Sequence, residues 1–115
     1  MVKDIIVGAH YGLKDWLIQR ISAAIMAAYT VVFLILLLGQ ERLDFETWHA
    51  FMAGGFMRFL TFLFIVSLMY HAWVGVRDIW MDYVKPTGVR LALHVLTLLA
   101  LVGYTGWAVS ILWRL

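Results

Sequence analysis

The residue with the most chemistry to offer in this sequence is His71, which stands in the long apolar run 59–76, where no residue carries a formal charge. At 100° per residue on a helix, Ser67, Gly75, Asp78 and Asp82 fall on the same face as His71. All four are small or polar. The other faces hold Phe62, Phe64, Ile65, Leu68, Trp73 and Val74. The polar stripe is therefore expected to point into a helix bundle, and the other faces to accept lipid. Two readings of His71 compete. One is a structural histidine bonded to a Ser, Thr or backbone carbonyl of a neighbouring helix. The other is a metal or haem ligand, a common role for imidazole, with Gly75 one turn on leaving room for a flat macrocycle. Ionisable groups at membrane depth are costly and mark function more often than chance, which favours the second. The first apolar run supplies no obvious partner, since only Ser22, Tyr29 and Thr30 interrupt it. His94 is expected within a turn of the start of the third run, several turns from His71 in depth.

A second polar concentration follows in Arg77-Asp78-Ile79-Trp80-Met81-Asp82-Tyr83-Val84-Lys85-Pro86. Interfacial anchoring with salt bridges would explain it. So would a polar pocket for an amphipathic ligand, with the Tyr83 hydroxyl donating to a carbonyl oxygen. Twelve residues of helix place His71 and Tyr83 about 18 Å apart along the axis, so they would serve two sites. Arg20 is suited to snorkelling toward the headgroups or to pairing with an acidic cofactor group. His10 and His49 read as solvated loop histidines.

These residues must be positioned by membrane helices. The chain has 115 residues, 64% of them hydrophobic and 14% charged, with a mean hydropathy of +0.90. A soluble domain is about 45–50% apolar and about 25% charged. Crossing a hydrocarbon core about 30 Å thick takes about 20 apolar residues. Three segments qualify, at about 20–39, 59–82 and 90–113, within one anchor domain, 1–115. The fold class expected is an all-α membrane protein with three transmembrane helices, part of a heteromeric bundle. Barrel strands are excluded, because the runs are long and do not alternate. The stretch 43–48 suits a short interfacial helix, and Asp15 to Gln19 a segment lying along the interface. Pro86 and Gly88 break the chain between the second and third spans. Trp48, Trp80, Tyr83 and Trp113 fall near span ends, where aromatic rings favour the headgroup region.

Other chemistries are excluded by composition. With no cysteine, the chain holds no disulfide, thiolate metal site or iron–sulfur cluster. Its basic residues are scattered, so no nucleic-acid track exists. Asp4, Lys14, Asp15 and Arg20 interrupt the first twenty residues, unlike a cleaved signal. Lys3, Lys14, Arg20, Arg77, Lys85 and Arg90 flank one side of the spans, and Arg42, Arg58 and Arg114 the other. The positive-inside rule then places the N-terminus and second loop in the cytoplasm and the C-terminus outside.

The stretch His71-Ala72-Trp73-Val74-Gly75, continuing to Asp82-Tyr83-Val84-Lys85-Pro86, resembles a family pattern. It is similar to the H-A-W-x-G…D-Y-V-K-P segment of the D-type hydrophobic membrane anchor of bacterial succinate dehydrogenase, respiratory complex II. Asp15-Trp16, Gln19-Arg20 and Ser22-Ala23 resemble the entry to that family's first helix. The resemblance implies an inner-membrane subunit with no catalytic activity alone. It implies pairing with a C-type cytochrome b anchor, haem b held between one histidine from each, and docking of an iron–sulfur subunit and a flavoprotein. His71 would be the haem iron ligand. Tyr83 would hydrogen-bond ubiquinone, with Asp82 adjoining, and Arg20 would lie in the haem and quinone region. The alternatives are the anchor of a fumarate reductase or another haem-b quinone oxidoreductase, and, from another class, a small proton-coupled transport or membrane assembly protein.

Overall fold

The computed structural model describes the backbone of residues 2–115 and the side chains from Gly12 onward. Four helices follow one another: α1 (Val2–Leu38), α2 (Phe45–Ala53), α3 (Gly55–Tyr83) and α4 (Thr87–Trp113). The described residues contain no strand. Three segments are long and apolar enough to cross a membrane: Gly12–Leu38, Gly55–Tyr83 and Thr87–Trp113. At 1.5 Å per residue each is about 40 Å long, more than the hydrocarbon core requires.

The helices therefore outrun the hydropathic segments. The Asp15 to Gln19 stretch does not lie along the interface but is part of continuous α1. α3 begins at Gly55 rather than near 59, and α4 at Thr87 rather than near 90. Hydropathy reports which residues sit in lipid, whereas a helix ends where its hydrogen bonds are stopped. Here the stops are the extended residues Gly54 and Pro86.

The connection between the first two spans holds the expected short helix. Asp44 caps α2, its Oδ1 accepting from the Thr47 backbone N–H at 2.9 Å. That N–H, and then the Thr47 hydroxyl, hold the Asp44 carboxyl below the usual aspartate range. A lowered folded pKa means the cap stabilises α2 above the unfolded aspartate pKa and is lost as pH falls through the lowered value. Amide exchange at Thr47 should accordingly stay slow down to the ordinary aspartate range and accelerate only below it. Exchange that is flat with pH, after correction for its intrinsic rate, would show the cap to be inert.

α3 is the middle helix, packed on α1 along one side and α4 along the other, with α2 against its start. This overturns in part the expectation that its non-polar-stripe faces meet lipid: Leu68 is exposed, but others are covered. Val74 is only 3% exposed, Trp73 packs edge-on against His94 of α4, and Phe62 lies edge-on to Trp113. Phe64 meets Tyr29 of α1 with ring centroids 4.7 Å apart. Few side chains are otherwise buried, and the small core gathers Met52, Met57 and Leu112. Lipid tails are as apolar as leucine, so hydrophobicity does little to drive these helices together. Polar clamps contribute instead. Tyr29 and Thr61 hydroxyls bond at 2.7 Å, and Trp80 Nε1–H donates to Thr97 Oγ1 at 2.9 Å. Arg58 Nη2–H donates to the Leu115 backbone oxygen at 2.9 Å, its guanidinium lying over the Trp113 ring. Each such bond in a membrane contributes on average about 0.6 kcal/mol. Trp80 and Trp113 thus do more than mark the headgroup level.

Candidate functional site

The site is built at the α1–α3 contact, where antiparallel helices set Asp15 beside Arg77, Gln19 beside Gly75, Ser22 beside His71 and Tyr29 beside Thr61. The first run does supply a partner for His71 after all. Ser22 is 5% exposed, and its Oγ lies 3.1 Å from His71 Nδ1. The same Oγ–H donates to the Gln19 backbone oxygen at 3.2 Å. His71 Nε2 has no hydrogen-bond partner among the described residues, and it is not among the sequestered atoms. The structural reading of His71 therefore describes one ring nitrogen, and the other has no partner among the described residues.

Ser67 is 7% exposed and completes the polar stripe at this level. A groove of about 560 Å³ runs beside the pair, lined by Ser22 and Ser67, by Ile25, Leu63 and Val66, and by Lys14. The imidazole itself is not among its lining residues. On the α1 side of Gly75, a methyl would meet Gln19 Nε2 at 3.6 Å, an ordinary contact, so Gln19 is the nearest neighbour there.

Two residues beyond Gly75, Arg77 is ion-paired to Asp15 across the helices and lies 3.7 Å from Asp78. This confirms the salt-bridge account of part of the polar concentration. It also turns Asp78 from the presumed buried stripe into a half-exposed partner of Arg77. Arg77 Nε and Gln19 Oε1 are buried without partners, on facing helices.

Tyr83 ends α3 and is 79% exposed. It and Asp82 make no side-chain hydrogen bond within the described residues, and neither lines a groove in this chain alone. Arg20 is exposed and stacks its guanidinium over the Trp16 ring, 5.5 Å from the centroid, without a carboxylate partner among the described residues. The structure thus joins His71 to Ser22 and Gln19, and leaves Arg20, Asp82 and Tyr83 at the surface.

The remaining histidines differ from expectation. His94 lies two turns into α4, and its ring centroid is 5.9 Å from that of Trp73, only two residues past His71. It is closer in depth to His71 than the sequence suggested, but on the α4 side of α3. His49 is not in a loop; it lies on α2 with its ring tilted against Phe45. The His10 side chain lies outside the described residues. No three metal-ligating side chains converge among the described residues.

Ser22 is the neighbour of His71 that the sequence did not single out. The signal was present: Asp15, Ser22 and Tyr29 recur every seven residues, two helical turns, along one face of α1. That face is the one turned to α3.

Residues 3–112 match the family described as succinate dehydrogenase/fumarate reductase transmembrane subunit. The chain is also similar to the succinate dehydrogenase hydrophobic membrane anchor subunit of Coxiella burnetii (strain RSA 493 / Nine Mile phase I). The two are 40% identical over 102 residues, which cover 89% of each chain.

Proposed function

Because the chain belongs to the succinate dehydrogenase/fumarate reductase transmembrane subunit family, we propose that it anchors a succinate:ubiquinone oxidoreductase in the bacterial inner membrane, donates one axial ligand to haem b and completes part of the ubiquinone site. The observation that carries this reading is the half-satisfied His71. A structural histidine in lipid would bond through both nitrogens, whereas Nε2 here is free while Nδ1 is held. That donor set fits a haem iron, which takes one imidazole nitrogen and leaves the other to a hydrogen-bond acceptor.

In this reading His71 would hold the iron through Nε2, with a second histidine coming from a C-type anchor subunit. The haem would supply one-electron transfer within the bundle. Arg20 presents a cation for an acidic cofactor group in the same region. Tyr83, exposed at the end of α3 with an unspent hydroxyl, is the residue left for a partner surface. Its O–H would donate to a quinone oxygen and polarise the carbonyl, with Asp82 alongside. Electrons would come from an iron–sulfur subunit fed by a flavoprotein. The sequence has no cysteine for clusters, and the described residues fold into helices with short connections. The excess of Lys and Arg at the α3–α4 hairpin favours a cytoplasmic position for that end and for the N-terminus.

Affinity purification of the tagged chain in mild detergent tests this. A particle carrying flavin, iron–sulfur clusters and a b-type absorption spectrum is expected. A chain that purifies without flavoprotein, and colourless, would overturn it.

A further inference from the structure

The hydroxyl of Ser22 has one proton and two neighbours. One neighbour, the Gln19 carbonyl, can only accept. The other, His71 Nδ1, donates or accepts according to tautomer. If Ser22 donates to Gln19, Nδ1 carries the proton and donates to Oγ, and both contacts are hydrogen bonds. If Ser22 donates to Nδ1, only one bond forms, and the 3.2 Å contact sets two oxygens against each other with no hydrogen between them. Ser22 itself is buried, 5% exposed, within an apolar span, so water does not make up the lost bond at its oxygen. The first arrangement has one more bond and prevails.

We infer that Ser22 is a positioning residue: it relays His71 Nδ1–H to the Gln19 carbonyl, fixes the imidazole as the Nδ1–H tautomer, and leaves the Nε2 lone pair aimed away from α1. The consequence reaches past orientation. A hydrogen bond accepted from Nδ1–H makes the imidazole more basic, which favours the ferric over the ferrous state of an iron bound at Nε2. The relay thereby lowers the reduction potential of that group. This inference rests on His71 being the haem ligand proposed above.

The test uses the assembled complex and a pair of variants of equal shape. Ser22→Thr keeps the hydroxyl, and Ser22→Val replaces it with a methyl, so any packing strain from the added methyl is common to both. Redox titration of the b-type absorbance is expected to give a more positive midpoint for Ser22→Val than for Ser22→Thr. A tenfold change in the ratio of ferric to ferrous affinity corresponds to 59 mV for one electron, and a shift of about that size is expected, with altered ferric resonance signals. Equal midpoints and equal signals in the two variants, both carrying haem, would overturn the relay while leaving His71 as ligand intact. A parent complex without haem, or one whose spectrum survives His71→Ala, would overturn the ligand assignment and the relay with it. Should both variants fail to assemble, an Nδ1–H resonance in the parent complex that is shifted downfield and protected from solvent exchange would support the relay, and one that exchanges as an unbonded imidazole N–H would overturn it.

Discussion

His71→Ala in the purified complex is expected to abolish, or reduce to a small residue, the b-type absorption per flavin. The substitution takes away the one nitrogen this chain offers an iron and leaves an apolar methyl in its place. Loss of a mere supporting bond around a metal site typically costs 10–100-fold in affinity, so loss of the ligand itself should exceed about 100-fold. Assembly should persist, because the only contact broken within the chain is the bond to Ser22. An interhelical bond in a membrane averages about 0.6 kcal/mol, and the Tyr29–Thr61, Asp15–Arg77 and Trp80–Thr97 contacts remain. Flavin content therefore serves as the internal control. An unchanged spectrum at unchanged flavin would remove the haem role from this histidine.

Tyr83→Phe should separate the two ends of the electron path. The substitution keeps the ring and deletes the O–H, which has no hydrogen-bond partner among the described residues. Folding within the chain should be indifferent to its loss. Quinone reduction should fall, because a donor aimed at a quinone oxygen becomes stronger as charge builds on that oxygen. A loss of about 1.4 kcal/mol would slow the step tenfold, and a decrease of about that order is expected. Succinate oxidation measured with a soluble artificial acceptor should be unaffected, since it draws electrons before the membrane. If both activities fall together, the tyrosine acts in assembly and its quinone role is lost.

The polar stripe on α3 was legible because a 3.6-residue period and a hydrophobic background leave few places for His71, Ser67 and Gly75 to be hidden. The identity of the neighbour was not. Ser22 is only one of three polar interruptions in the first run, and a serine in an apolar run bonds its own helix as readily as another. Here it does both, bonding Gln19 and His71 at once. The heptad spacing of Asp15, Ser22 and Tyr29 would have shown which face of α1 is polar, but not which residue of α3 opposes each. Gly75 was legible as a small residue on the α3 stripe, but its nearest neighbour on the α1 side, the Gln19 side chain, was not. Trp73, Phe62 and Val74 were assigned to lipid because hydropathy does not distinguish an apolar neighbour helix from an acyl chain.

Composition and the lengths of the apolar runs by themselves determined that this is a membrane protein with three spans, that His71 sits deep within one, and that Tyr83 ends it. Those facts depend only on solvent preference and helix rise, which are local properties of the chain. Tertiary structure decided that α3 lies between α1 and α4, that Ser22 holds one nitrogen of His71, and that the other is free. Such pairings depend on the relative register of two helices, and no residue carries that information until the helices meet.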